Sequence, residues 1–413
     1  MASTLEWLEI EGTKIPFIFE RDTRLPIVSA QIIFTHSGSI DEGKKFGLAR
    51  MCSKMLNEGS MQRGSTGFAK ALDARAIALS AYTGNETLVI EVGSLKEEFS
   101  EGITLLKEQL NTPNFTQKSL DKVKMITLSD IARKDSDFDT VASDELKKIL
   151  FDGTPMAIPN IGTKESIEQI SLEEIKQFKK THLVLSNALI VIGGDITLEQ
   201  AQAECLRFLK ELPKGKKGLE HYFEPSKEAK ISIVHRPQTE QAYVYFGAPF
   251  NMKEKDPDMY KARVAMFILG SSGFGSRLME EIRVKKGLAY STYARVNIAK
   301  TSSYFSGHLQ TKIESQDDAK KTVEEVIQTF VEKGVTQSEL DQARKFMLGS
   351  EPLRVETLSQ RLARTFSEFY SGKRLGSSLD DLEAIRHLTL SELNQFIKNH
   401  PEILNLSYAI VTK

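Results

Sequence analysis

The sequence predicts an α+β fold built twice: two homologous domains, each a mainly antiparallel sheet with packed helices, related by an internal duplication. Two observations carry this expectation. Thr116–Lys124 reads TQKSLDKVK, and Thr336–Lys345 reads TQSELDQARK. Ile170–His182 (ISLEEIKQFKKTH) and Leu388–His400 (LTLSELNQFIKNH) also match, and both end on a histidine. The step from Thr116 to Thr336 is nearly the same as the step from His182 to His400. Two separate stretches that agree on one period of about half the chain mark a repeated structural unit. Strand-like runs recur in both halves, at Leu88–Val92 and Ala188–Ile192, then at Tyr243–Phe246 and Leu406–Val411.

Helices are expected between these strands, where apolar residues recur three and four apart, as in Phe99–Leu110 and Ala319–Phe330. Ser171 followed by Leu172-Glu173-Glu174 is a capping box, and Thr336 opens a helix that runs to about Leu348. Between residues 213 and 230 the periodicity stops: Pro213, Gly215, Gly218 and Pro225 interrupt a stretch rich in Lys and Glu. The expected organisation is therefore a domain over 1–212, a linker over 213–230 and a homologous domain over 231–413.

Composition narrows the function class. The 413 residues are 40% hydrophobic and 27% charged with a net charge of -1, an ordinary globular balance. That charge gives no electrostatic case for nucleic acid or an anionic membrane, and Lys214–Lys217 reads as a solvated linker run. No apolar run approaches the length that a spanning helix needs, so no transmembrane helix is expected. The start MASTLEWLEIEG lacks a charged region followed by an apolar one. The default compartment is cytoplasmic, or periplasmic for a chain trimmed of a leader. Cys52 and Cys205 are too far apart for a metal clip and read as small buried hydrophobes; the nearby cations Arg50 and Lys54 leave Cys52 a remote nucleophile candidate. The seven His show no H-x-x-x-H or H-x-H spacing.

The stretch Gly47–Leu56, GLARMCSKML, resembles the GLAHxxEHML box of the pitrilysin/insulinase (inverzincin) peptidase family, whose zinc motif is H-x-x-E-H. The frame is kept at Gly47, Leu48, Ala49, Met55 and Leu56. Arg50 and Lys54 stand where the two His ligands belong, and Ser53 where the general base belongs. A guanidinium offers no lone pair, and an ammonium must first lose its proton. This half is expected to hold no catalytic zinc. The family's third ligand is a Glu well downstream of the second His. The matching window here is Leu128–Ala132, whose only acid, Asp130, reads as a surface or capping group.

The resemblance extends over nearly the whole chain, and it includes mitochondrial processing peptidase subunits. Phe274–Ala294, FGSRLMEEIRVKKGLAYSTYA, matches the segment that in the family supplies an Arg and a Tyr spaced R-x₆-Y to a zinc site. The matching pair is Arg283 and Tyr290, expected near a helix end and on the following strand. Both can donate to an oxyanion formed on a peptide carbonyl. The competing readings are a surface ion pair of Arg283 with Glu280 or Glu281, and a half-buried strand aromatic for Tyr290. Leu79–Thr83 (Leu79, Ser80, Ala81, Tyr82, Thr83) resembles the family's edge strand, which takes up peptide by β-augmentation; an ordinary sheet strand is the alternative. Leu269–Ser276 (LGSSGFGS) lacks the Lys of a phosphate loop and reads as a turn between helices.

The resemblance implies a non-zinc subunit of a heterodimeric zinc metallopeptidase. A homologous partner with H-x-x-E-H would bring the zinc, and this chain would bring Arg283, Tyr290 and part of a peptide chamber. The rival is a catalytically inert scaffold or peptide-binding protein, or a homodimer.

Overall fold

The computed structural model describes residues 3–413. Two compact units emerge from its packing, and neither is continuous in sequence. The first comprises Met1–Ala132, Ile158–Glu220 and Arg354–Ser367; the second comprises Arg133–Ala157, His221–Leu353 and Glu368–Lys413.

The first unit holds a six-stranded sheet. Its strands are β1 (Thr4–Ile10), β2 (Thr13–Arg21), β3 (Ile27–Thr35), β4 (Ala78–Thr83), β5 (Thr87–Leu95) and β6 (Ala188–Gly194), in spatial order β1-β2-β6-β3-β5-β4. β1 and β2 form a hairpin across Glu11-Gly12, both at positive φ, the backbone that a tight two-residue turn demands. The pairing is antiparallel except for β2 beside β6. One face carries Phe17, Ile32, Phe34, Ile90 and Ile192 into the first core. The helices of the chain's first half are α1 (Leu48–Leu56), α2 (Gly64–Asp73), α3 (Phe99–Asn111), α4 (Gln117–Lys134), α5 (Phe138–Leu150), α6 (Lys164–Gln169), α7 (Leu172–His182) and α8 (Leu198–Leu209). Buried residues of α1, α3, α7 and α8 contribute to this core, whereas α5 packs against the second sheet.

The second unit repeats the plan. Strands β7 (Ile231–His235), β8 (Gln241–Pro249), β9 (Ala289–Ile298), β10 (Ser303–Lys312) and β11 (Ser407–Thr412) lie in the order β7-β11-β8-β10-β9. Again one neighbouring pair, β7 with β11, is parallel and the rest are antiparallel. Both sheets are therefore mixed, with β2-β6-β3-β5-β4 and β7-β11-β8-β10-β9 as the same five-strand motif. The helices of the chain's second half are α9 (Met259–Met266), α10 (Arg277–Met279), α11 (Gln316–Lys333), α12 (Gln337–Gly349), α13 (Leu358–Tyr370), α14 (Ser377–His387) and α15 (Leu390–Lys398). The capping box read from the sequence is formed, Ser171 with Glu174 on α7, and the helix expected after Thr336 is α12, which opens on a box of its own, Thr336 with Glu339. A further box, Thr389 with Glu392, opens α15, the repeat-related counterpart of α7. Among the described residues, no helix is long and apolar enough to cross a membrane.

Candidate functional site

Helix α1 is positioned from its first turn. Gly47 adopts φ 89°, and a side chain there would run into Ile167 and the Ile161 carbonyl. The buried Glu42 carboxylate accepts from the Gly47 and Ala49 N–H groups at 2.7 and 2.8 Å, capping the helix start. Seven of the nine α1 residues are buried. The two that are not, Arg50 and Lys54, sit one turn apart on one face, where a pair of metal ligands would project.

The side chains on that face do not fit zinc. Lys54 Nζ donates to Thr127 Oγ1 and Asp130 Oδ2, both at 3.0 Å. Arg50 Nη1 reaches Asn160 Oδ1 at 3.4 Å, and its buried Nε has no hydrogen-bond partner among the described residues. Ser53 is buried and donates back to the Arg50 carbonyl at 2.9 Å, so its hydroxyl serves the helix. Asp130, expected as a surface or capping group, is partly exposed and answers Lys54, so an ion pair joins the two positions that the resemblance assigns to the second His ligand and the third ligand. Among the described residues, no group of three or more His, Cys, Asp or Glu side chains could hold a metal ion. Cys52 and Cys205 are both free and buried; burial pushes the Cys52 thiol up to about 12, which removes it as a nucleophile.

The stretch Leu79–Thr83 lies on β4, which is the edge of its sheet. Ala81 turns its backbone groups outward, and Asn57, the residue that closes α1, takes both. Asn57 Oδ1 accepts from the Ala81 N–H at 2.7 Å, and Asn57 Nδ2 donates to the Ala81 carbonyl at 2.8 Å. One side-chain amide thus mimics one residue of an incoming strand. Thr83 Oγ1 further donates to the Ala49 carbonyl at 3.1 Å, tying β4 to α1. Tyr82 and Ser80 are exposed on the sheet face away from the core.

In the second unit, the chain after α9 passes through a π-helical turn, Phe267–Ser271, before α10. Ser276 caps α10, and Arg277 anchors it through two bonds to Glu339, at 2.6 and 2.8 Å. A second π-helical turn, Glu280–Lys285, then carries Arg283, and Gly287 at φ 62° reverses the chain into β9. Thr311 Oγ1 holds the start of β9 by donating to the Leu288 carbonyl at 2.6 Å. The outcome is a stack of three side chains. The Arg283 guanidinium carbon lies 4.5 Å from the Tyr290 ring centre and 4.6 Å from that of Phe274. Tyr290 is 80% exposed and Phe274 72% exposed. Glu281 pairs with Lys285 rather than Arg283, and among the described residues Arg283 has no carboxylate partner. Its N–H edge is therefore available to an external acceptor. The sequence by itself assigns Phe274 no role; its signal there is an aromatic flanked by Gly273 and Gly275 beside the Arg/Tyr segment.

Comparison with known proteins agrees with this geometry. Residues 18–164 match the insulinase family, peptidase family M16, and residues 169–347 match the peptidase M16 inactive domain. The chain is 44% identical over 411 residues to a "non-peptidase homolog YmxG" of Helicobacter pylori, covering 100% of this chain and 95% of the relative. It is 22% identical to an "uncharacterized zinc protease YmxG" of Bacillus subtilis, over 82% of each chain. A peptidase M16 inactive domain from Pseudomonas fluorescens superposes with TM-score 0.90 at 24% identity, covering 99% of this chain and 97% of that one. The chain belongs to the insulinase family, peptidase family M16, as a homologue that among its described residues carries no zinc-ligand set.

Proposed function

We propose that this chain is the non-zinc subunit of a heterodimeric M16 peptidase. A homologous partner with an intact H-x-x-E-H supplies zinc, the attacking water and the general base. This chain supplies the Arg283 N–H edge and the Tyr290 hydroxyl to the oxygen that becomes negative as water adds to the peptide carbonyl. The observation that carries the reading is the Arg283 stack: a guanidinium clamped between two exposed rings, without a carboxylate to neutralise it. Such clamping restricts the side chain before substrate arrives, which lowers the entropic cost of using it. The non-peptidase name of the H. pylori relative supports a chain with no peptidase activity of its own.

The test is a reconstituted mixture of this chain with an H-x-x-E-H homologue from the same genome, assayed on an unstructured peptide. The chain alone is expected to bind below a tenth of an equivalent of zinc and to be inactive. In the mixture, Arg283→Ala and Tyr290→Phe each lower kcat, by about 10²–10³-fold if each supplies a full oxyanion donor. Unchanged turnover in both variants sinks the donor role.

A second reading, an inert scaffold or peptide-holding protein, is favoured by one observation. Asn57 already occupies the Ala81 groups that strand addition on β4 would use. Recovery of the chain only as a homodimer, with no activity gained from any H-x-x-E-H homologue, would favour this reading.

A further inference from the structure

Away from α1 and the Arg283 stack, the first unit contains a cavity of about 580 Å³ on the sheet face opposite its core. That volume falls within the range typical of small-molecule sites. The α13 segment forms one wall, and it approaches the sheet closely. A side chain on Gly193 would come within 3.0 and 3.1 Å of Leu362 and Leu358. The segment is held there by Arg361, which donates to Glu20 and Asp22 at 2.6 Å each. The wall is therefore fixed in place by the fold.

The lining divides by chemistry. Ile27, Leu358 and Leu362 give apolar walls, while Ser29, Gln31 and Glu91 are polar. Gln31 and Glu91 are directly opposed across the β3–β5 pair, so their side chains share one face. Among the described residues, neither the Gln31 amide nor the Glu91 carboxylate has a hydrogen-bond or ion-pair partner. Three carboxylates, Asp22, Glu91 and Glu356, line the cavity against a single guanidinium, Arg24. That guanidinium is spent on Asp22, which it meets through both Nε and Nη2. The cavity therefore presents unmatched negative charge beside apolar walls.

We propose that this cavity binds a small amphiphilic cation. Its ammonium or guanidinium head donates to the Glu91 carboxylate and to Gln31 Oε1, and its apolar body lies against Ile27, Leu358 and Leu362. Charge complementarity selects the head, because the lining offers acceptors and no unpaired cation. The walls select an apolar body over a free inorganic cation. This site is independent of the peptidase reading, since it shares no residue with α1 or the Arg283 stack.

The experiment is calorimetric titration of the full chain with octylamine, octanoate and octanol, each below its aggregation limit. Octylamine is expected to bind saturably at one site, at least tenfold tighter than octanoate or octanol. Glu91→Gln should reduce octylamine affinity about tenfold or more, with an unchanged melting temperature in the absence of ligand, because Glu91 has no partner to lose. Ser29→Trp, which fills the cavity, should abolish binding. Absence of saturable octylamine binding, equal binding of octanol or octanoate, or a Glu91→Gln chain that binds like the parent would each overturn the assignment.

Discussion

Lys54 Nζ lies 3.0 Å from Asp130 Oδ2, joining the two positions that the resemblance assigns to the second His ligand and the third ligand. The ammonium does for the fold part of what a metal would do: it neutralises the carboxylate and ties α1 to α4. It also gives the buried Thr127 hydroxyl oxygen a donor.

Lys54→Ala should therefore destabilise the chain by about 1–2 kcal/mol, since a buried acceptor loses its donor. Asp130→Asn should cost less, because the pair is partly exposed and screened. Urea denaturation of both variants checks the order; equal stability of Lys54→Ala and the parent would mean the contact is incidental.

Asn57→Ala frees the N–H and C=O of Ala81 on the β4 edge. The Ala81 amide should exchange with deuterium faster, while the amides that β4 pairs with β5 keep their protection. A gain in binding of extended peptides by this variant would identify Asn57 as the element that keeps the edge closed. Unchanged exchange at Ala81 would show that α1 covers the edge by other means.

Arg361 holds the α13 segment to Glu20, which is 2% exposed. Arg361→Ala leaves a buried carboxylate with the hydroxyl of Ser3 as its remaining side-chain donor. The expected cost is about 3 kcal/mol, and Arg361→Lys should recover only part of it, because one ammonium cannot reproduce bonds to both Glu20 and Asp22. A thermal melt superimposable on the parent's would refute this.

Two carboxylates should tilt the pH–stability curve in opposite senses. Burial pushes the Glu339 carboxyl up, but the Arg277 guanidinium and the Thr336 amide and hydroxyl outweigh it and hold the pKa at about 2. Depressed below its ordinary 4.5, Glu339 stabilises the fold above about pH 4.5, and that contribution is lost as pH falls through about 2. Glu42 is the reverse: burial raises it to about 8 against the pull of the Ala49 and Gly47 amides. The native state then holds more protons than the unfolded chain between about pH 4.5 and 8, so stability declines as pH rises through that window. Glu339→Gln should flatten the acid limb below about pH 4.5, and Glu42→Gln the decline between about pH 4.5 and 8, in chemical melts from about pH 3 to 9.

Much of the architecture was legible because it rests on local chemistry. Ser171 and Thr336 announce helix starts by bonding within their own first turn, and the half-chain period reappears as two sheets with one strand order. The β1–β2 hairpin is a further local feature, written in the alternation on either side of Glu11-Gly12. By contrast, nothing around Phe138–Leu150 signals that this first-half helix packs on the second sheet, nor around Leu358–Leu362 that this segment walls a cavity on the first. An amphipathic helix states that it has an apolar face and does not state which sheet will cover it.

The same division holds at the candidate site. The sequence by itself determined that α1 offers no zinc-ligand set, because Arg50, Ser53 and Lys54 carry neither imidazole nor carboxylate in any fold. It also placed Arg283 and Tyr290 one helix end and one strand start apart, a spacing set by local geometry. Only the tertiary structure decided what those residues meet. Lys54 finds Asp130, Asn57 closes Ala81, Phe274 completes the Arg283 stack, and Gln31 faces Glu91 in a cavity. Each of these pairings depends on distances between residues that the chain brings together only by folding. Side-chain chemistry travels with the sequence, whereas the partner that gives it a role is set by packing.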